Sequence, residues 1–289
     1  MPETMQELVS KELVLTEREF RQISELAHQR FGLELKPGKE ALVSSRLGKR
    51  LRQRGFHSFA DYYRHILSDS TGEALVELID SLTTNHTSFL RERSHFEFLA
   101  RAVAGEFGAG DLDIWSAACS SGEEPYSIAM CVSDAGSKAG FQRRAVRIFA
   151  TDISTRVLAI ARAGIYPAER FREMPEAWRR AYLLKGVKES EGRFKVKPEL
   201  ARLVEFQGIN LIQPFTHKRL FQVIFCRNVM MYFDKATQQD IVQRLSQCLL
   251  PGGYLFVGHS ESLTGVKHDL GYVCPAIYRK GAAGLKAPK

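Results

Sequence analysis

Apolar residues recur every three or four positions through roughly the first eighty residues, the period of an amphipathic helix. Thr16 followed by Glu19 makes a capping-box pattern ahead of FRQISELAHQRFG. LKPGKE then breaks the chain before ALVSSRLGKRLRQRG, which closes on Gly55 as helices often do. Ser58 and Asp61 repeat the cap before FADYYRHILSD, and GEALVELIDSLT is a fourth segment of helical period. The pattern predicts a small all-helical domain over residues 1–82, with no strand.

From about residue 112 the rhythm changes. Short apolar runs (DLDIWSA, RAVRIFATD, RLVEFQGIN, FQVIFCRN and GYLFVGHS) alternate with helical stretches (PYSIAMCVSDAG, STRVLAIARAG and KATQQDIVQRLSQCLL). Such alternation predicts an α/β domain over 83–289 with a doubly wound, mostly parallel sheet. PGG at 251–253 predicts a turn ahead of the fifth strand, and LGYVCPAIYRK an antiparallel edge strand. Residues 164–203 break the alternation and read as an inserted small antiparallel β element.

Composition adds bounds. With 44% hydrophobic and 26% charged residues the chain is of ordinary globular character. No apolar run approaches the roughly 20 residues that span a bilayer, and the charged MPETMQELVSKELVLTEREF is no secretory signal. The expected location is therefore cytoplasmic. Cys119, Cys131, Cys226, Cys248 and Cys274 are scattered without a CxxC pair, so they read as core residues, and no bound metal is expected. The net charge of +8 points to an acidic partner.

The candidate chemistry lies in WSAACSSGEEPYSIAM, residues 115–130, at the carboxyl end of the first strand. Dinucleotide binders place a glycine-rich loop there to receive a pyrophosphate. This loop has one glycine, Gly122, and two carboxylates, Glu123 and Glu124. Carboxylates repel phosphate and attract a cation, which favours a phosphate-free, cationic nucleoside: S-adenosylmethionine. Asp152, ending the second strand in FATDIS, stands where an acidic residue takes ribose hydroxyls. On physical grounds Glu123 and Glu124 are equal candidates for the cofactor contact.

Six stretches carry a resemblance: TTNHTSFLRE (83–92), WSAACSSGEEPYSIAM, FATDIS, GINL (208–211), FCRNVMMYF (225–233) and GHSESL (258–263). In this order the chain resembles the chemotaxis receptor O-methyltransferases, the CheR family. The resemblance implies methyl transfer from S-adenosylmethionine to glutamate side chains of membrane chemoreceptors, leaving S-adenosylhomocysteine. It implies that Asn85, Thr87 and Arg91 reach the cofactor from the segment joining the domains. It favours Glu124 for the methionine portion and gives Asp152 the ribose. Asn210 and Leu211 would flank the adenine, and Arg227 and Asn228 would close the pocket. Arg91 and Tyr232 would orient the incoming carboxylate, which needs no general base because it is already ionised.

The same resemblance suggests that Arg46, Lys49, Arg50 and Arg54, on one helical face, dock the acidic cytoplasmic helices of the receptor. The inserted β element would correspond to the family's subdomain that can bind a receptor C-terminal peptide. CRNVMMYF lacks the Asn/Asp-Pro-Pro-aromatic tetrad of amine-directed methyltransferases, and base-stacking aromatics are not evident, so no nucleic-acid partner is expected. Alternatives are the same chemistry on another acidic signalling protein, or a non-catalytic cofactor sensor. Arg91, Asp152 and Tyr232 together favour catalysis.

Overall fold

The computed structural model describes residues 13–107, 110–140, 145–215 and 219–281. The first twelve residues, which open the stretch read as carrying no secretory signal, and Arg144, read as starting the second strand, lie outside them. Two compact units divide in sequence between Thr84 and Asn85. Among the described residues no helix is long and apolar enough to cross a membrane.

The first unit contains α1 (Glu17–Phe31), α2 (Glu40–Arg54), α3 (Phe59–Ser68) and α4 (Glu73–Leu82). Thr16 and Glu19 form the complete capping box on α1, and the Ser58 hydroxyl accepts from the Asp61 N–H at the start of α3. Gly55 closes α2 at φ 74°, a left-handed conformation that suits glycine. Ile23, Leu47, Leu51, Tyr62 and Leu78 are buried and form the core of this unit.

The basic face of α2, read as a docking face, also makes contacts within its own unit. Arg46 donates to the Leu82 carbonyl and, at 3.0 Å, to the Thr84 hydroxyl. Arg50 and Arg54 both pair with Glu77 on α4. Three of the four predicted docking cations thus bind their own unit, and Lys49 is exposed. The reason is periodicity: the face that gathers the arginines also borders Leu47 and Leu51, which pack inward and bring α4 alongside.

The second unit opens with α5 (Arg93–Ala104), a helix the sequence reading did not identify. Then follow β1 (Leu112–Ala117), α6 (Glu123–Lys138), β2 (Val146–Asp152) and α7 (Thr155–Ala163). The insertion supplies β3 (Ile165–Pro167), α8 (Glu176–Tyr182), β4 (Leu183–Lys185), β5 (Arg193–Val196) and the short α9 (Pro198–Ala201). The chain returns with β6 (Val204–Gly208), β7 (Phe221–Phe225), α10 (Lys235–Cys248), β8 (Leu249–Phe256), β9 (Leu270–Cys274) and β10 (Ile277–Lys280).

The main sheet runs β6-β2-β1-β7-β8-β10-β9, and the insertion forms an antiparallel sheet β3-β5-β4. All six residues of β1 are buried, as expected of a central strand covered on both faces. β1 pairs in parallel with β2 on one side and β7 on the other. The strand order therefore reverses at β1, and the loops after β1 and β7 flank the crevice where such sheets bind ligands.

Two expectations about the carboxyl-terminal strands need correction. PGG does not precede the fifth strand but lies inside β8, where Phe221 pairs with Leu249 and Val223 with Tyr254. Gly252 has φ 82°, and a side chain on Gly253 would sit 2.9 Å from the Gln222 carbonyl oxygen, so the bulge requires both glycines. LGYVCPAIYRK is not one edge strand but a hairpin, with β10 inside the sheet and β9 at its edge. Ala276, at φ 64°, makes its turn.

Candidate active site

The loop from β1 to α6 is held by its own backbone. Ala118, Ser120 and Gly122 all have positive φ, at 76°, 49° and 96°. A side chain at Gly122 would lie 2.8 Å from both the Ala161 Cβ and the Tyr166 hydroxyl, so only glycine fits. The N–H groups of Ala118 and Cys119 both donate to the Thr151 carbonyl at 2.8 Å. The Ser120 N–H donates to the Asp152 carboxylate at 2.8 Å, and the Ser154 N–H donates to its other oxygen at 2.9 Å. Three amides of the loop, those of Ala118, Cys119 and Ser120, are thus spent on β2 and its carboxylate.

Glu123 and Glu124, equivalent candidates in the sequence, face different partners. Glu123 is buried, accepts from the Ser121 hydroxyl at 2.6 Å and lies 3.5 Å from Arg170. Glu124 accepts from the Ser116 hydroxyl on β1 at 2.6 Å and from Arg227 after β7 at 2.9 Å. Burial pushes the carboxyl groups of both upward; at Glu123 the Ser121 hydroxyl, and at Glu124 the Arg227 charge, works against that rise. Glu124 is thus the carboxylate at the reversal of strand order, and Glu123 braces the start of α6.

Arg227, expected to close the pocket, is the centre of an ion-pair cluster. It is buried, and besides Glu124 it donates to Glu92 through Nε at 3.2 Å and Nη2 at 2.9 Å. It also donates to the Arg91 carbonyl and lies over the Phe96 ring. Asn228, at φ 57°, donates from its side chain to Glu92 at 3.2 Å. Burial opposes ionisation of Glu92, but Arg227 and these hydrogen bonds outweigh it and hold its carboxyl down at about 2.

The segment 85–92 is fastened to the same loops. The Asn85 carbonyl accepts from the Ser120 hydroxyl at 3.3 Å, and the Thr87 carbonyl accepts from Arg170 at 2.9 Å. The Leu90 N–H donates to Ser127 on α6 at 3.0 Å, and Arg91 donates to the His86 carbonyl at 2.7 Å. Leu90 and Glu92 both have positive φ, at 57° and 61°. Non-glycine residues in that region cluster where function constrains the backbone.

Asn210 and Leu211 follow β6 beside Asp152, whose carbonyl accepts from the Ile209 N–H at 3.1 Å. The Asn210 side chain accepts from the Ile212 N–H, and Leu211 is buried in the cluster containing Trp115 and Phe149. Tyr232 ends the 3-10 turn Met230–Tyr232 and is half-buried. Glu261 ties that turn to the loop after β8, accepting from the N–H groups of Asn228, Met231 and Gly258. The predicted cofactor and catalytic residues therefore share one cluster of loops, whereas the four docking cations belong to the first unit.

Sequence reading gave no role to Ser116, Glu92 or Glu261, although all three lie in or beside quoted motifs. A second feature also emerges beside Arg227. Glu92, His95 and His259 each offer a ligand atom within 4.8 Å of the others. Yet Glu92 already accepts two N–H donors of Arg227, the Asn228 amide and the His259 backbone N–H. Four donors occupy the lone-pair positions of a carboxylate, and the Arg227 charge further disfavours a cation there.

The crevice as built suits a cation rather than a phosphate. Two of its carboxylates, Glu92 and Glu124, share the guanidinium of Arg227. Comparison with known proteins points the same way. A family described as CheR methyltransferase, SAM binding domain, matches residues 85–276, and CheR methyltransferase, all-alpha domain, matches residues 18–83. The chain is similar to the chemotaxis protein methyltransferase of Klebsiella aerogenes, 41% identical over 263 residues that cover 90% of this chain and 89% of that one. It is 40% identical to chemotaxis protein methyltransferase 2 of Pseudomonas aeruginosa over 271 residues, 93% of this chain and 95% of that one. The chemotaxis protein methyltransferase of Escherichia coli K12 is 41% identical over 257 residues, covering 89% and 88%.

Proposed function

This chain belongs to the CheR methyltransferase family, and from that premise we propose that it methylates glutamate side chains of membrane chemoreceptors, forming methyl esters. That it is an S-adenosylmethionine-dependent methyltransferase follows from the matched cofactor-binding domain and from relatives that share nearly its whole length. The observation that supports the cofactor side of this proposal is the pairing of Glu92 and Glu124 on one guanidinium at the reversal of strand order, with the amides of Ala118, Cys119 and Ser120 spent on β2 and its carboxylate.

S-Adenosylmethionine supplies, when bound, a methyl group activated on a sulfonium, so an ionised glutamate can accept it without a general base. What remains for the protein is alignment and exclusion of water. In this proposal Asp152 receives the ribose hydroxyls and Glu124 lies beside the methionine portion. Asn210 and Leu211 border the adenine, and Asn85 and Thr87 cover the crevice from the segment after Thr84. Arg91 and Tyr232 orient the incoming carboxylate, and neither transfers a proton. Arg227 and Asn228 hold the far wall through Glu92, Glu124 and Glu261.

Domain 1–82 would meet the acidic cytoplasmic helices of the receptor through α2. Lys49 is exposed for that purpose, while Arg46, Arg50 and Arg54 divide their charge between the substrate and α4. The sheet β3-β5-β4 offers edges at β3 and β4 that could extend by pairing with a receptor C-terminal peptide. A cytoplasmic site of action belongs to the same proposal.

Incubation with methyl-labelled cofactor and receptor-containing membranes tests the assignment. Label on the receptor that is released by mild base is the expected result. Base-stable label would point to nitrogen or sulfur methylation and would defeat the glutamate reading.

A further inference from the structure

Glu92, Arg227 and Glu124 form a buried row in which one guanidinium serves two carboxylates. Arg227 lies 2.9 Å from each, with side-chain exposures of 13%, 2% and 12% along the row. The neighbouring His95 is buried, and its Nδ1 is 3.4 Å from Glu92. Neither of its ring nitrogens has a hydrogen-bond partner, so its neutral form adds no cation. With both glutamates ionised the row carries one negative charge more than positive.

Counterbalancing Glu124 alone would need only Arg227. Glu92 draws part of that guanidinium away, and its position is fixed from three sides: by Arg227, by the Asn228 amide and by the His259 backbone. We propose that Glu92 is a specificity-determining residue that shifts the pocket toward the sulfonium cofactor and away from its neutral thioether product, by leaving Glu124 incompletely neutralised. The inference rests on the proposed place of Glu124 beside the methionine portion. S-Adenosylmethionine and S-adenosylhomocysteine share the ribose, adenine and amino-acid groups and differ by one methyl and one positive charge at sulfur. The shared ammonium and carboxylate feel a charge alike in both ligands, so a residue whose charge is felt at sulfur changes the ratio of their affinities, whereas one that acts only on the shared groups or braces the loops changes both alike.

Calorimetric titration of the full chain with each ligand tests this, using wild type, Glu92→Gln, Glu92→Asp and Glu124→Gln. Loss of one low-dielectric charge should raise the Kd of S-adenosylmethionine about tenfold in Glu92→Gln, and that of S-adenosylhomocysteine less than about threefold. Glu92→Asp keeps the charge, so its ratio of the two Kd values should stay within about twofold of wild type even if both ligands weaken. Equal weakening of both ligands in Glu92→Gln would overturn the proposal, as would unchanged affinities. If Glu92→Gln does not fold, Glu92→Ala takes its place, with the same expected and the same overturning results. Glu124→Gln separates the premise from the inference: it should weaken S-adenosylmethionine, and wild-type affinity there would refute the placement of Glu124 itself.

Discussion

Arg227 donates to Glu124 at 2.9 Å across 103 residues of sequence, joining the loop after β7 to the first turn of α6. The bond spans the place where strand order reverses, so one buried ion pair ties the loop after β7 to the loop after β1. Its other donors reach Glu92 and the Arg91 carbonyl, which brings the segment after Thr84 to the same point.

Removing the guanidinium leaves two buried carboxylates facing one another. Arg227→Met keeps much of the side-chain volume over Phe96 but strands both charges. Breaking a buried pair in this way costs about 3–5 kcal/mol. Urea denaturation should show a midpoint lowered accordingly, with m unchanged. The carboxyl groups of Glu92 and Glu124 should then titrate upward, so the deficit should shrink as pH falls toward 5. A variant as stable as wild type at pH 7 would show that the row is hydrated and not buried as the structure has it.

His95 sets a second pH dependence, of definite sign. Burial, and then the Arg227 charge, hold its imidazole down at about 3. In the folded chain it stays neutral through pH 5, while in the unfolded chain it protonates near the ordinary value of about 6.5. The unfolded state then binds more protons, so stability is full above about 6.5 and is lost as pH falls toward 3. Between pH 7 and 5 this group should remove about 2 kcal/mol. Glu123 and Glu124, raised by burial, act in the opposite sense, so the effect is best read as a difference. His95→Phe, which fills the space against Phe256 without a titrating group, should gain about 2 kcal/mol relative to wild type over that interval. Parallel unfolding curves for the two proteins at pH 7 and pH 5 would rule this out.

Much of this arrangement is legible in the sequence. Capping residues marked α1 and α3 because a Thr16–Glu19 box and a Ser58 cap act locally. The buried run of β1 marked the central strand, and the carboxylates after it marked a crevice for a cation. Local rules failed where distant parts of the chain decide. PGG reads as a turn by itself, yet β7 holds it inside β8 as a bulge. The hairpin β9–β10 turns on Ala276, whose left-handed backbone nothing in PAI announces. Glu123 and Glu124 are indistinguishable in sequence, and only Ser116 and Arg227 on one side, Ser121 and Arg170 on the other, separate their roles. The four-residue spacing puts Arg46, Arg50 and Arg54 on one face of α2, but that Glu77, Leu82 and Thr84 also bind them is set by α4 and cannot be read from the spacing.

Tyr232 offers the most direct test of how the carboxylate substrate is held. Its backbone is fixed by the turn over Met230–Tyr232, with the Tyr232 N–H donating to the Val229 carbonyl at 3.1 Å. Glu261 anchors that turn independently through Met231 and Asn228. Replacing Tyr232 by Phe removes the hydroxyl while these backbone ties of the loop stay in place. If the hydroxyl orients the incoming glutamate, kcat should fall about 10–100-fold, the loss expected when one positioning hydrogen bond to a charged group disappears. The Kd for S-adenosylhomocysteine should change less than about twofold, because the ribose, adenine and methionine contacts proposed for Asp152, Asn210 and Glu124 remain. The pH dependence of kcat should keep its shape, since no proton passes through the phenol. A parallel loss of cofactor affinity and turnover would assign Tyr232 to the cofactor wall instead, and a new limb in the pH profile would give it a role in proton transfer.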